Sequence, residues 1–89
     1  DIVHKPKSRY VKPLAIQGDN DVATIKEELN AGHLVLLNIS LISKNPNKLK
    51  SVIAELKGHV KSIEGDIARI DDDKVLLTPN DVGIIKKRH

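Results

Sequence analysis

The chain contains no cysteine, methionine, phenylalanine or tryptophan, and Tyr10 is its only aromatic residue. Without cysteine there is neither a disulfide framework nor a thiolate metal site. Without aromatic rings there is no platform on which the bases of a single-stranded nucleic acid stack, and the core must be packed from Ile, Leu, Val and Ala. No apolar run approaches the ~20 residues that a membrane-spanning helix needs. Neither sign of charge dominates: 15 Lys and Arg against 12 Asp and Glu leave a net charge of +3, a mild basic bias that more often solvates a surface than defines a partner. The 89 residues suffice for one domain with a modest core, near the size at which partners often add stability. The first residue is Asp1 rather than Met, as expected of a trimmed or processed form, which would place any targeting segment upstream.

Residues 1–9 are polar and basic without periodicity and read as the end of a linker or a disordered tail. A strand is expected over 10–16, with Pro13, which lacks an N–H, at an edge or a bulge. Gly18 to Asp21 form a loop rich in capping side chains. Val22, Ile25 and Leu29 then predict a helix over 22–31, closed by Gly32 in the left-handed conformation. Leu34-Val35-Leu36-Leu37 is apolar at every position, as in a central strand hidden on both faces. A second helix begins near Pro46. Leu49, Val52, Leu56, Val60 and Ile63 draw one stripe along it with Ile53 beside them, and it ends near Gly65. Two apolar runs, 67–70 and 75–77, flank Asp71-Asp72-Asp73 as a β-hairpin. Thr78-Pro79-Asn80-Asp81 supplies a further turn, and a short last strand over 82–86 precedes a basic end, 87–89. The order β-α-β-α-β-β-β predicts an α/β (α+β) sandwich over 10–86, a mixed sheet with two helices packed against it.

Few residues invite chemistry. His4 and His89 lie in the tails, and His33 has no ligand partner nearby in sequence. His59 has Glu55 one helical turn before it, but one Glu-His pair falls short of a metal motif. The three aspartates lack the spaced oxygens and closing glutamate of a calcium loop. Ser40 and Ser43 have neither a base nor a nucleophile elbow. No enzyme, metal or cofactor is indicated. The basic ends, with Lys5, Lys7, Arg9 and Lys12 on one side and Lys86, Lys87 and Arg88 on the other, fit an anionic membrane surface or a nucleic acid backbone.

The hairpin also carries a resemblance. G-D-I-A-R-I followed by V-L-L-T-P-N-D-V resembles the C-terminal hairpin of SepF, the cell-division protein that tethers FtsZ to the membrane. Ile25-Lys26-Glu27-Glu28-Leu29 with Ala31-Gly32 is similar to the family's first helix and its glycine-containing end. Leu34 to Ile39 is similar to its hydrophobic strand, and Gly58 to a glycine in its second helix. The sequence is closer to archaeal than to bacterial members, which place aromatics in the second helix and the strands after it.

The resemblance implies a homodimeric adaptor that binds the C-terminal tail of FtsZ, cytoplasmic and peripheral on the inner face of the membrane at the division site. Such proteins reach the membrane through an N-terminal amphipathic helix and a linker, and form dimers and higher assemblies through the sheet and the second helix. Gly58, roughly opposite the buried stripe, is then expected near an assembly surface. The lysines off that stripe, Lys48, Lys50, Lys57 and Lys61, are either an ordinary solvated face or the rim of a groove for an acidic-apolar peptide. Lys50, Lys57 and Lys61 are the candidates for that rim, with Leu41 and Ile42 as apolar contacts, one of the pair being core. The alternative is a small basic RNA-binding or ribosome-associated domain.

Overall fold

The computed structural model describes residues 9–86; the expected tails at 1–9 and 87–89, apart from Arg9, lie outside the described residues, and with them Lys5, Lys7, Lys87, Arg88, His4 and His89. Six elements follow one another: β1 (Val11–Ala15), α1 (Asp19–Asn30), β2 (Leu34–Asn38), α2 (Pro46–Ser62), β3 (Asp66–Arg69) and β4 (Lys74–Thr78). They form a mixed four-stranded sheet in the order β1-β2-β4-β3. β1 and β2 are parallel, whereas β4 runs antiparallel to both β2 and β3. The α2 crossover therefore skips one place in the sheet, and the hairpin returns β4 into it.

Both helices cover the same face. Val22, Ile25 and Leu29 of α1 and Val52, Leu56 and Val60 of α2 form one core with Val35, Leu37, Val75 and Leu77 of the sheet. This corrects the expectation that β2 hides both faces. The strand is central, between β1 and β4, but only its odd-numbered residues meet helices, and Leu34 and Leu36 are left half-buried on the other side. Across that open side the register aligns Pro13, Leu36, Leu76 and Ala68 in one row, with the pairs Val11–Leu34 and Thr78–Asp66 beside it. On the β2 side of β1, the bonds Leu34 N–H to Tyr10 O and Ile16 N–H to Asn38 O set the phase of the parallel ladder. Pro13 consequently faces the free edge, where its missing N–H breaks no bond.

Local chemistry sets the helix ends. α1 starts three residues before the apolar periodicity because the Asp21 carboxylate accepts the N–H groups of Gln17 (2.8 Å) and Gly18 (3.2 Å). The Asn45 side chain caps α2 by accepting from Lys48 N–H at 3.2 Å, with Pro46 opening the first turn. Both helices close with paired backbone bonds around a left-handed residue, a Schellman arrangement. In α1 that residue is Gly32, as expected from the sequence, at φ 92°. In α2 it is Glu64, at φ 60°, rather than Gly65. Gly65 is fixed by a different need, since a Cβ there would fall 2.1 Å from the Thr78 carbonyl oxygen.

The expected last strand does not form: residues 82–86 join no ladder. Side chains hold this segment instead. The buried Thr78 hydroxyl accepts from Asp66 N–H at 2.8 Å and donates to the Val82 carbonyl. One Asp66 carboxylate oxygen accepts from Ile84 N–H at 2.9 Å, while the other accepts from Lys86 Nζ at 2.7 Å and Ile67 N–H at 2.8 Å. Lys86, then the Ile84 and Ile67 N–H groups, lower the Asp66 carboxyl from 3.8 to about 2.

Candidate functional site

Ile53 lies one position off the buried stripe of α2 and is half-buried against the core. One helical turn further on stands Lys57, on the same face. Opposite them, β3 contributes Ile67, Ala68 and Arg69. Ile39 and Val75 close the floor, so that α2 and the β3 edge enclose a groove of about 300 Å³. Its floor is aliphatic and its rim carries Lys57 and Arg69. The Arg69 guanidinium is held by the hairpin turn, with Nε donating to Asp71 O (3.2 Å) and Nη2 to Asp72 O (2.8 Å). That leaves further N–H groups of its fork for an anion. The turn is internally bonded as well: Asp71 Oδ1 accepts from Asp73 N–H at 2.8 Å, the Asx arrangement of a tight turn.

Of the residues singled out from the sequence, Lys57 lines the groove. Lys50 and Lys61 are exposed on α2, seven residues before and four after it, which places all three along one strip of the helix. Lys48 is half-buried near the start of the helix. Leu41 is 57% exposed on the loop that follows Ile39. Ile42 is corrected: at 3% exposure it is a core residue, turned under the loop by the bonds Ile42 N–H to Ile39 O and Asn45 N–H to Ile42 O. It has no surface to offer a peptide. Gly58 is exposed, with open space where a Cβ would stand.

The sequence reading missed Arg69, Ile67 and Ile39 as groove residues. A signal for Arg69 existed: it is the one cation within the β3 segment, at a strand end beside an acidic turn. Nothing local announces the others, because their meeting with Ile53 depends on α2 crossing back over β3. The histidines have local partners. His33 Nδ1 accepts from Tyr10 N–H at 3.1 Å, and His59 Nε2 lies 3.0 Å from Asn30 Oδ1. Glu55, one turn before His59, is engaged by Lys26 at 2.7 Å. No helix among the described residues is long and apolar enough to cross a membrane.

Comparison with known proteins agrees with this architecture. The family described as Cell division protein SepF matches residues 11–84. The Cell division protein SepF of Haloferax volcanii is 27% identical over 73 residues, covering 82% of this chain; the chain spans 62% of that relative's length. The solved structure of a SepF-like protein from Pyrococcus furiosus superposes with a TM-score of 0.84 at 31% identity, over 92% of this chain and 100% of that one. The Cell division protein SepF from Methanobrevibacter smithii, solved in complex with FtsZ-CTD, has a TM-score of 0.74 at 15% identity, over 88% of this chain and 99% of that one.

Proposed function

The chain belongs to the SepF family of cell division proteins, and from that premise we propose that it acts as an adaptor, by binding rather than by chemistry. Its ligand is the C-terminal tail of FtsZ, which enters the groove between α2 and β3. Apolar side chains of the tail rest on Ile39, Ile53, Ile67 and Val75, while acidic groups meet Lys57 and Arg69. Lys50 and Lys61 extend the basic strip along α2, and Leu41 offers an apolar contact on the loop beside it. The observation that carries this reading is the pairing of an aliphatic floor with a cationic rim, the combination that recognises an acidic-apolar segment. The complex of the Methanobrevibacter smithii relative with FtsZ-CTD supports the choice of ligand.

The adaptor works as a homodimer. Sheet-on-sheet contact through the open face buries the row of Pro13, Leu36, Leu76 and Ala68, and the outward Gly58 lets a further copy approach α2 closely. Two tail sites per dimer hold a polymer more firmly than either does alone, because the second binding event is intramolecular. The core is the 10–86 unit, tethered to the inner face of the membrane by an N-terminal segment preceding it. The test is titration of the domain with a labelled peptide copying the host's FtsZ tail, beside a scrambled control. Saturable binding of the native peptide alone is the expected result. Absence of binding by a folded sample overturns the ligand assignment, and affinity for RNA that falls steeply with salt would put a nucleic acid in its place.

A further inference from the structure

Ile85 is 84% exposed, more than any other large apolar side chain among the described residues, yet the backbone just before it is tied down and the Lys86 side chain just after it is paired. Ile84 N–H and Lys86 Nζ bind the two oxygens of the same carboxylate, Asp66, at 2.9 and 2.7 Å. Upstream, the Val82 carbonyl accepts from the buried Thr78 hydroxyl, and Pro79 is fully buried. An apolar side chain on a loose end is unremarkable on a protein surface. One whose neighbours are tied in place is instead presented to a partner with little chain freedom left to lose.

The position of this clamp indicates what makes the contact. Asp66 pairs with Thr78 beside the row of Leu76 and Ala68, and both side chains bind the segment, which is thus held at the β3–β4 side of the open face. The strands alone are a small surface. Four strands at ~4.8 Å and five residues at ~3.3 Å give a footprint of about 300 Å², well short of the ~800 Å² per partner in a stable interface. Residues 82–86 lie against the Thr78–Asp66 end of it and add their own exposed side, Ile85 included, to what a second copy can cover. Charge points the same way. In a two-fold contact each patch meets its own copy, so an uncancelled charge meets its like. Lys86 is cancelled by Asp66 within the chain, the adjoining row of Pro13, Leu36, Leu76 and Ala68 carries no charge, and Lys74 beyond it is paired with Asp71 at 4.0 Å.

We propose that Ile85 is an anchor of the contact between two copies of this chain, and that Asp66 is the positioning residue that holds it there. The inference rests on the reading that the open sheet face binds a second copy. Its test is the dimer dissociation constant of the 89-residue chain, from sedimentation over a concentration series, for the parent, Leu76→Ser, Ile85→Ser, Asp66→Asn and the Asp66→Asn/Ile85→Ser double variant. Ile85→Ser raises the constant at least tenfold and leaves the melting temperature unchanged when it is measured at concentrations where both proteins are monomeric. Asp66→Asn raises it comparably and speeds hydrogen exchange at the Ile84 amide. The double variant is no weaker than Ile85→Ser alone, since Asp66 acts through Ile85. If Leu76→Ser dissociates the dimer while Ile85→Ser leaves it intact, the anchor is overturned and the open-face reading stands. A parent that stays monomeric, or a Leu76→Ser variant as dimeric as the parent, overturns both. Fully additive effects in the double variant overturn the positioning role. Should Asp66→Asn fail to fold, Lys86→Met breaks the same clamp from its other side and is read by the same measures.

Discussion

Leu36 and Leu37 are neighbours on β2, identical in chemistry, and they end in different surroundings. Leu37 is fully buried beneath the helices, whereas Leu36 is half-buried on the open face between Pro13 and Leu76. The contrast extends over the whole sheet. One side is finished by the chain's own helices; the other is nearly as apolar and has no cover from either. Under the proposed function the two sides divide the work, with core and groove on the helix side and the dimer contact on the other, and Gly58 on α2 serves only assembly beyond the dimer. An apolar strand thus says that both faces avoid water, without saying which molecule supplies the second cover.

That division can be tested by substitutions that touch one side at a time. The largest effect is expected from Leu37→Ala, which should cost about 2–5 kcal/mol in urea unfolding because it opens a cavity in the packed layer. Leu36→Ala should cost about 1 kcal/mol or less when unfolding is followed at concentrations where the protein is monomeric. Similar losses for the two would erase the distinction between the faces. Lys57→Glu, on the groove rim, should weaken the FtsZ-tail peptide about tenfold, or about 1.4 kcal/mol, with the dimer dissociation constant unmoved. A change in both constants would mean that groove and open face are one surface.

A smaller effect belongs to α2's end. Glu64→Gly should stabilise by about 0.5 kcal/mol, since it relieves a side chain held in the left-handed region. The last test is confined to acid. Asp66 has its carboxyl lowered from 3.8 to about 2, so the stability it contributes is present above the unfolded value. It is lost as pH falls from about 3.8 through about 2. Unfolding measured against pH should show this limb in the parent and a flatter one in Asp66→Asn.

Much of this was legible in the sequence because it depends on near neighbours. The stripe of Val52, Leu56 and Val60, the left-handed Gly32, the helix start near Pro46 and the hairpin around Asp71–Asp73 are short-range patterns. The edge position of β1 was legible too, from Pro13 alone. What the sequence hid is set at long range. Both helices fall on one side only because β4 returns between β2 and β3, and the groove exists only where Ile53 meets Ile67 and Arg69. Val82–Lys86 has the composition of a strand, but the sheet leaves it no ladder and Asp66 offers its backbone another partner. Ile42 and Leu41 differ in burial through a loop bend that has no sequence period.

Pro13 has a consequence for the geometry of assembly. A sheet edge with every N–H and C=O free is a template on which strands from other chains add without limit, in open ribbons. Here the middle of the β1 edge offers no donor. Under the proposed function, copies are thereby steered away from edge-on growth and toward the face-to-face contact of the dimer. For an adaptor of that kind, a blunted edge guards against an open β-ribbon of its own.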